Sequence, residues 1–330
     1  MTTRPIRHSI PPEILALSHE RDQLRRRGQY ARADELKQQL EEAGYAVKDN
    51  PRGAHLVILP SVDIDDKTYR LTRLVPSRLD EKATRDFSII ILATNTQDQT
   101  RRCIESVLRH AGDADLEILL VDNASQDGLD LWADASRYNE PRLRLVRPSR
   151  RLGTAEAYNL ALKQSLGRDI VLLSSHIELT GDIFTPLAST LSDPDVGITG
   201  AQGWVTADLR HFEESEEQEV EVIDLQCLAF RRSRLKETGL FDEHYRYPHY
   251  MDIDFNFAMR DLGLETCVTS DLPLKRHEEI EETYYSDDER SRLSKRNFYR
   301  FLNKWGERDD LLLYDEEDED EEDDDEEGEE

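Results

Sequence analysis

Between residues 87 and 173 short apolar runs alternate with segments of helical periodicity. Phe87–Ala93, Leu116–Asp122, Leu143–Val146 and Ile170–Leu173 are too short and too uniformly apolar for surface helices, so they predict buried strands. Thr100–His110, Leu129–Tyr138 and Thr154–Leu166 lie between them and predict helices. Strand and helix in strict turn imply right-handed β-α-β units on a mostly parallel sheet. The N-terminal zone has a different pattern. Ile14, Leu15, Leu17 and Leu24 mark one helix and Ala33, Leu36, Leu40 and Ala43 a second, with Gly28 between them and Gly44 as a C-cap. Tyr45–Lys48 and His55–Leu59 then flank the turn-forming Asp49–Gly53, which predicts a β-hairpin.

Four segments follow from this pattern. Residues 1–59 form a helical hairpin with a β-hairpin, 60–86 a linker or edge strand punctuated by Pro60 and Pro76, 87–306 the main α/β domain, and 307–330 an acidic tail. Composition sharpens the last of these. Hydrophobic residues make up 37% of the chain and charged residues 35%, so apolar surface must be concentrated in part of it. Asp315 to Glu330 is acidic at every position except Gly328; such a run repels itself, buries nothing and is expected to be disordered. A formal net charge of −28 also weighs against general nucleic-acid binding, which rests on clustered Lys and Arg.

Cys103, Cys227 and Cys267 show no paired spacing, which suggests reduced thiols and no structural zinc. Prolines and charges interrupt Met1–Arg21, so no signal-peptide core is expected there, and no apolar run approaches the length of a transmembrane helix. The expected location is cytoplasmic, with peripheral membrane association left open.

In open parallel sheets ligands bind beyond the carboxyl ends of the strands. Thr94 and Asn95 follow the first strand, and the second runs into Asp122-Asn123-Ala124-Ser125-Gln126-Asp127-Gly128. An Asp at a strand end can accept a hydrogen bond from a base or a ribose hydroxyl, although Asp-Asn-rich loops are also ordinary turn chemistry. The third strand leads to Arg150, Arg151 and Gly153 at the start of a helix, where glycine permits close approach and arginines and a helix N-terminus suit a diphosphate. A solvated basic turn is the alternative.

Taken in order, these pieces resemble the family 2 glycosyltransferases of the GT-A fold. Asn95, the 122–128 loop, Gly153 with Asn159, Ser174–Leu179, Gly239–Glu243, Met251–Phe255 with Arg260 and Gly263, His277, and Asn297 with Phe301 and Lys304–Gly306 follow that family's order over about 220 residues. The resemblance implies a GT-A (nucleotide-diphospho-sugar transferase) fold and inverting transfer of a sugar from a nucleotide-diphosphate sugar to an acceptor hydroxyl. A glycan, a lipid-linked glycan or a protein would serve as acceptor. Asp252 matches the Asp of the family's Glu-Asp motif and is the candidate base; Met251 stands at the preceding, usually acidic, position, and Asp254 is expected to orient the segment. Trp204 and the tyrosines 245, 247 and 250 are candidates to stack on sugar rings, or else core aromatics.

The family's acidic metal motif is altered here. His176-Ile177-Glu178 occupies it, and His277 matches a later histidine that can complete the site. The implied set, His176, Glu178 and His277, accepts Mn²⁺ more readily than Mg²⁺ because of its imidazoles. Metal-independent chemistry with Arg150 or Arg151 supplying charge, or a catalytically inactive nucleotide- or glycan-binding scaffold, are the alternatives. Separately, Ala31–Lys37, Leu40, Gly44-Tyr45 and Asp49–Gly53 resemble the C-terminal segment of cysteinyl-tRNA synthetases. That implies either a protein-docking or oligomerisation hairpin, or an RNA or partner contact through arginines 21, 25, 26, 27 and 32.

Overall fold

The structure is a computed structural model that describes residues 10–50, 53–278 and 285–313. It divides into two compact units, Met1–Val62 with Thr68–Leu74, and Asp63–Lys67 with Val75–Glu330. The first contains α1 (Pro12–Arg26), α2 (Tyr30–Glu42) and the antiparallel pair β1 (Tyr45–Asn50) and β2 (Gly53–Ile58). Leu24, Ala33 and Leu36 pack between its helices with Leu17 against them, while Leu15 is half exposed and lies off the expected apolar stripe. Gly28 and Gly44 end the two helices with positive φ. Of the turn expected at Asp49–Gly53, Pro51 and Arg52 lie outside the described residues. Arg21, counted among the candidate RNA contacts, is 3% exposed and bonded to Asp22, which takes its guanidinium off the surface.

Two short strands, β3 (Val62–Ile64) and β4 (Lys67–Tyr69), occupy the stretch where the chain passes between units. The second unit then runs through β5 (Arg85–Ala93), α3 (Gln97–His110), β6 (Leu116–Asp122), α4 (Leu129–Asn139), β7 (Leu143–Pro148), α5 (Thr154–Gln164) and β8 (Gly167–Leu173). There follow β9 (Ile177–Leu179), α6 (Phe184–Leu191), β10 (Val196–Gly200), β11 (Gly203–Val205), β12 (Glu213–Ser215), β13 (Val222–Ile223) and β14 (Cys227–Arg231). The chain closes with α7 (Leu235–Thr238), α8 (Met251–Arg260), β15 (Glu265–Val268), β16 (Leu274–Arg276) and α9 (Asp287–Trp305).

The main sheet is ordered β15-β10-β14-β8-β5-β6-β7. Its β8-β5-β6-β7 portion is parallel, and β14 is antiparallel to both of its neighbours. Every residue of β6 is buried, as expected of a strand covered on both faces. At the amino ends of these strands the Glu117 carboxylate is tied to Ser88 Oγ (2.6 Å), to the Leu166 N–H (2.6 Å) and to Arg144 (2.8 Å). A charge this deeply buried is tolerated because its acceptors are filled. Gly167 sits against β5 so closely that a Cβ would lie 2.2 Å from the Ser88 nitrogen.

A second cluster, built from Leu209, Val222, Phe257, Phe301, Trp305 and Leu311, joins α8 to α9. At its edge Asp254, 5% exposed, accepts from Trp305 Nε1 (2.9 Å), Lys304 Nζ (3.0 Å) and the Tyr245 hydroxyl (3.4 Å). The segment after α9 departs from the expected tail. Residues 309–311 form a 3-10 turn, Leu311 is buried, and the Leu313 N–H donates to Glu221, so 307–313 is folded because Leu311 supplies the apolar anchor that the acidic run lacks. The acidic run itself lies outside the described residues. Among the described residues no helix is long and apolar enough to cross a membrane.

Replacing Asp254 with Ala leaves the indole N–H without its acceptor. Urea denaturation should show a loss of about 2 kcal/mol, whereas Asp254→Asn, which keeps an acceptor, should lose less; equal losses would contradict the assigned bond.

Candidate functional site

The loops at the carboxyl ends of β5 and β6 are knitted together. Asn95, at φ 53°, accepts from the Gln126 N–H through its side chain (2.7 Å) and donates its own N–H to Ser125 Oγ (3.0 Å). Asp122, buried at the end of β6, accepts from the Ser125 N–H (3.0 Å), and Asp127 accepts from the Gln97 N–H (2.7 Å). Thr94 is half-buried beside them. Asn123 plays a different part, since both ends of its amide bond the Leu152 backbone, at 2.8 and 3.2 Å, and it is 2% exposed. It clamps the backbone at Leu152 with both ends of its amide.

Gly153 does permit a close approach, but the approaching group is the chain itself, with Arg246 Cα 3.0 Å from a Cβ built there. The N–H groups of Thr154 and Ala155 donate to the carbonyls of Arg246 and Tyr245. The anion site expected at this helix N-terminus is therefore filled by backbone oxygens. Arg150 is exposed, and the Arg151 guanidinium lies over the Tyr285 ring at 5.4 Å.

The candidate metal residues separate into two groups. Glu178 and His277 meet at 2.7 Å across the antiparallel pair β9–β16, and this bond holds the Glu178 carboxyl below its usual range. Arg102 comes within 3.9 Å of Glu178, and its Nε is buried with no hydrogen-bond partner among the described residues. His176 turns away. It lies one residue before β9 and is 5% exposed, and its ring bonds Ser174 Oγ (2.8 Å) and Gln226 Oε1 (3.4 Å). Among the described residues no group of three His, Cys, Asp or Glu side chains is gathered for a metal, so the expected His176–Glu178–His277 set is not assembled.

Asp252 lines a cavity of about 510 Å³ together with Trp204, Phe212, Asp224, Gln226 and Tyr250, with Arg210 and His249 also on its wall. Burial pushes the Asp252 carboxyl up to about 6, and nearby Asp224 adds like-charge repulsion, against the lowering effect of the Ile253 N–H. Asp224 is itself raised, first by burial. Trp204 and Tyr250 thus face the cavity, Tyr250 at φ 69° as the residue before α8. Tyr245 does not, being fully buried with its hydroxyl on Asp254, and Tyr247 packs on His249 and Tyr285. Asp224, Gln226, Arg210 and His249 were not singled out from the sequence. A polar Asp-Leu-Gln step between the short apolar strands β13 and β14 was the available signal for the first two.

A parallel core with one strand reversed, hydrogen-bonded polar loops at its strand ends and an acid-lined aromatic pocket define a GT-A architecture. The family model described as glycosyl transferase family 2 matches residues 88–260, and the chain belongs to that family. Residues 7–55 match the model of the cysteinyl-tRNA ligase anticodon binding domain. An uncharacterized protein y4gI of Sinorhizobium fredii (strain NBRC 101917 / NGR234) is 22% identical over 251 residues, covering 67% of this chain and 28% of that protein. An N-acetylglucosaminyltransferase of Bradyrhizobium elkanii is 27% identical over 126 residues, covering 37% of this chain and 68% of that one. Among solved structures, GalNAc-T7 with UDP, GalNAc and Mn²⁺ superposes with a TM-score of 0.58 at 15% identity, over 70% of this chain and 50% of that chain. That likeness is one of fold, and this chain spans well under two thirds of the length of y4gI and of GalNAc-T7.

A carboxyl raised on folding favours the folded state below its unfolded value, and that contribution is lost as pH rises through about 6. The melting temperature of Asp252→Asn should therefore gain on that of the natural protein as pH is raised from about 4 to about 7. A difference constant with pH would show that Asp252 titrates normally.

Proposed function

We propose that the chain is an inverting glycosyltransferase that moves a sugar from a nucleotide-diphosphate donor to an acceptor hydroxyl. The observation that carries this reading is Asp252: a carboxylate with a pKa of about 6 on the wall of an aromatic-lined cavity, in a chain of this family. Such a group is basic enough to take a hydroxyl proton and still be ionised at neutral pH. The proton passes from the acceptor O–H to an Asp252 oxygen, and the acceptor oxygen bonds to the anomeric carbon. The bond from that carbon to the diphosphate oxygen breaks, and its electron pair leaves with the nucleoside diphosphate.

Asn95, Asp122 and Thr94 are the proposed donor-side residues, with Arg150 and Arg151 as cationic groups on the neighbouring loop. Asn123 and Gly153 serve by shaping that loop, and Asp254 by fixing α8. His176 does not fit a cation site. Glu178 with His277 offers one oxygen and one nitrogen, a mixed donor set that suits Mn²⁺ better than Mg²⁺, and nucleotide-bound cations commonly take few protein ligands. A cation held there would offset charge on the departing diphosphate.

Donor screening with UDP-, GDP- and dTDP-sugars, with and without Mn²⁺, tests the reading. We expect release of one nucleoside diphosphate, with a rate that rises with pH through about 6. Asp252→Asn should lower kcat by about 10²–10⁴ and leave nucleotide affinity unchanged. Glu178→Ala should abolish any Mn²⁺ dependence of nucleotide binding. Binding of a nucleotide without turnover under any of these conditions would favour a non-catalytic nucleotide-binding domain instead.

A further inference from the structure

The cavity beside Asp252 does not end at Tyr250. A second hollow of about 410 Å³ shares Arg210 and Tyr250 with it and is lined beyond them by Ser291, Ser294, Lys295 and Phe298 of α9. The two adjoin at these shared residues, and we read them as the inner and outer halves of one groove whose chemistry changes along its length. The inner half holds Asp224 and Asp252 among aromatic rings. The outer half holds Arg210, Lys295 and two serine hydroxyls, and among the described residues no carboxylate lines it, in a chain with 71 acidic against 43 basic side chains.

Arg210 is placed there by a built turn. Leu209 is buried at φ 60°, a conformation that costs a bulky residue about 1–3 kcal/mol. Its N–H donates to Thr206 Oγ1 (3.0 Å). The Asp208 carboxylate, the acid nearest in sequence, is taken up by the backbone N–H groups of Arg210 and His211 and by His211 Nδ1. The Arg210 guanidinium itself donates to the Asp208 backbone carbonyl at 3.2 Å. On the opposite wall His249 Nδ1 lies 3.1 Å from Ser294 Oγ, which ties α9 to the entry of α8.

We propose that the outer half of the groove binds an anionic oxygen group of the acceptor, a phosphate or a carboxylate, so that the acceptor is an anionic glycan. This rests on the transferase reading above. The sugar that accepts the new bond stacks on Trp204 and Tyr250 over Asp252, and the charged group of the adjoining unit lies between Arg210 and Lys295. A single cationic pair beside a ring-stacking surface suits one anion on a saccharide. A nucleic acid or polyanionic protein would need a broad basic face, which the net charge of −28 opposes.

Affinities of the full chain for glucuronate, mannose 6-phosphate, glucose and mannose, followed by NMR, test the proposal. At least one anionic probe should bind about tenfold more tightly than its neutral counterpart, and added salt should erode the difference. Which anion wins separates phosphate from carboxylate. The combined Arg210→Gln and Lys295→Gln variant, altered only at exposed positions, should lose the preference while keeping its nucleotide affinity. Equal binding of neutral and anionic probes, or a preference that survives in the variant, would overturn the proposal. Anion preference in a natural chain that binds no nucleoside diphosphate would sustain the subsite and overturn the transferase reading.

Discussion

The geometry of the site hangs on one buried carboxylate, that of Asp254. By accepting from Trp305, Lys304 and Tyr245 together it fixes the first turn of α8 against the last turn of α9 and against the segment leading into α8. Asp252 lies two residues earlier on that turn, Tyr250 immediately before it, and Lys295 and Ser294 on the same α9. Asp252, the aromatic wall at Tyr250 and the α9 residues Ser294 and Lys295 are therefore positioned by one anchor. A buried acid with its acceptors filled by directional donors holds an orientation that apolar packing alone would leave looser.

At the carboxyl ends of β5 and β6 a different arrangement operates. The β5 and β6 loops are cross-linked by side chain-to-backbone bonds, so Asn95, Ser125 and Asp127 shape one another. Asn123 extends this scaffold to Leu152. Loops cross-linked in this way are preorganised, so a ligand bound at them would not have to order them, which lowers the entropic cost of association. At the N-terminus of α5 the Thr154 and Ala155 N–H groups are already taken by chain carbonyls.

Much of this was legible in the sequence. The four strands of the parallel core declare themselves because burial on both faces forces continuous apolar runs, and their helices follow from periodicity. The observed limits of β6 coincide with those expected, and α3 begins three residues earlier because Asp127 accepts from the Gln97 N–H and the Thr96 carbonyl accepts the first helical bond from Thr100. Of the three residues expected to gather for a metal, Glu178 and His277 meet and His176 is bonded elsewhere. Spacing places His176 beside Glu178, but His176 precedes the short β9 and its ring is drawn to Ser174 and Gln226, whereas pairing with β16 delivers Glu178 to His277. The groove residues Asp224, Arg210 and Lys295 come from three separate segments joined only by tertiary packing, which no local pattern records.

On the function we propose, the loops at the ends of β5 and β6 and the cavity beside Asp252 are the donor and acceptor halves of one transferase site. Hydrogen exchange read by mass spectrometry in the presence of UDP, with Mn²⁺ supplied, tests it most directly. The account predicts slowed exchange in peptides spanning residues 94–97 and 122–128, with residues 12–42 of the helical hairpin unchanged. Unaltered exchange at both strand ends while UDP is bound would contradict it.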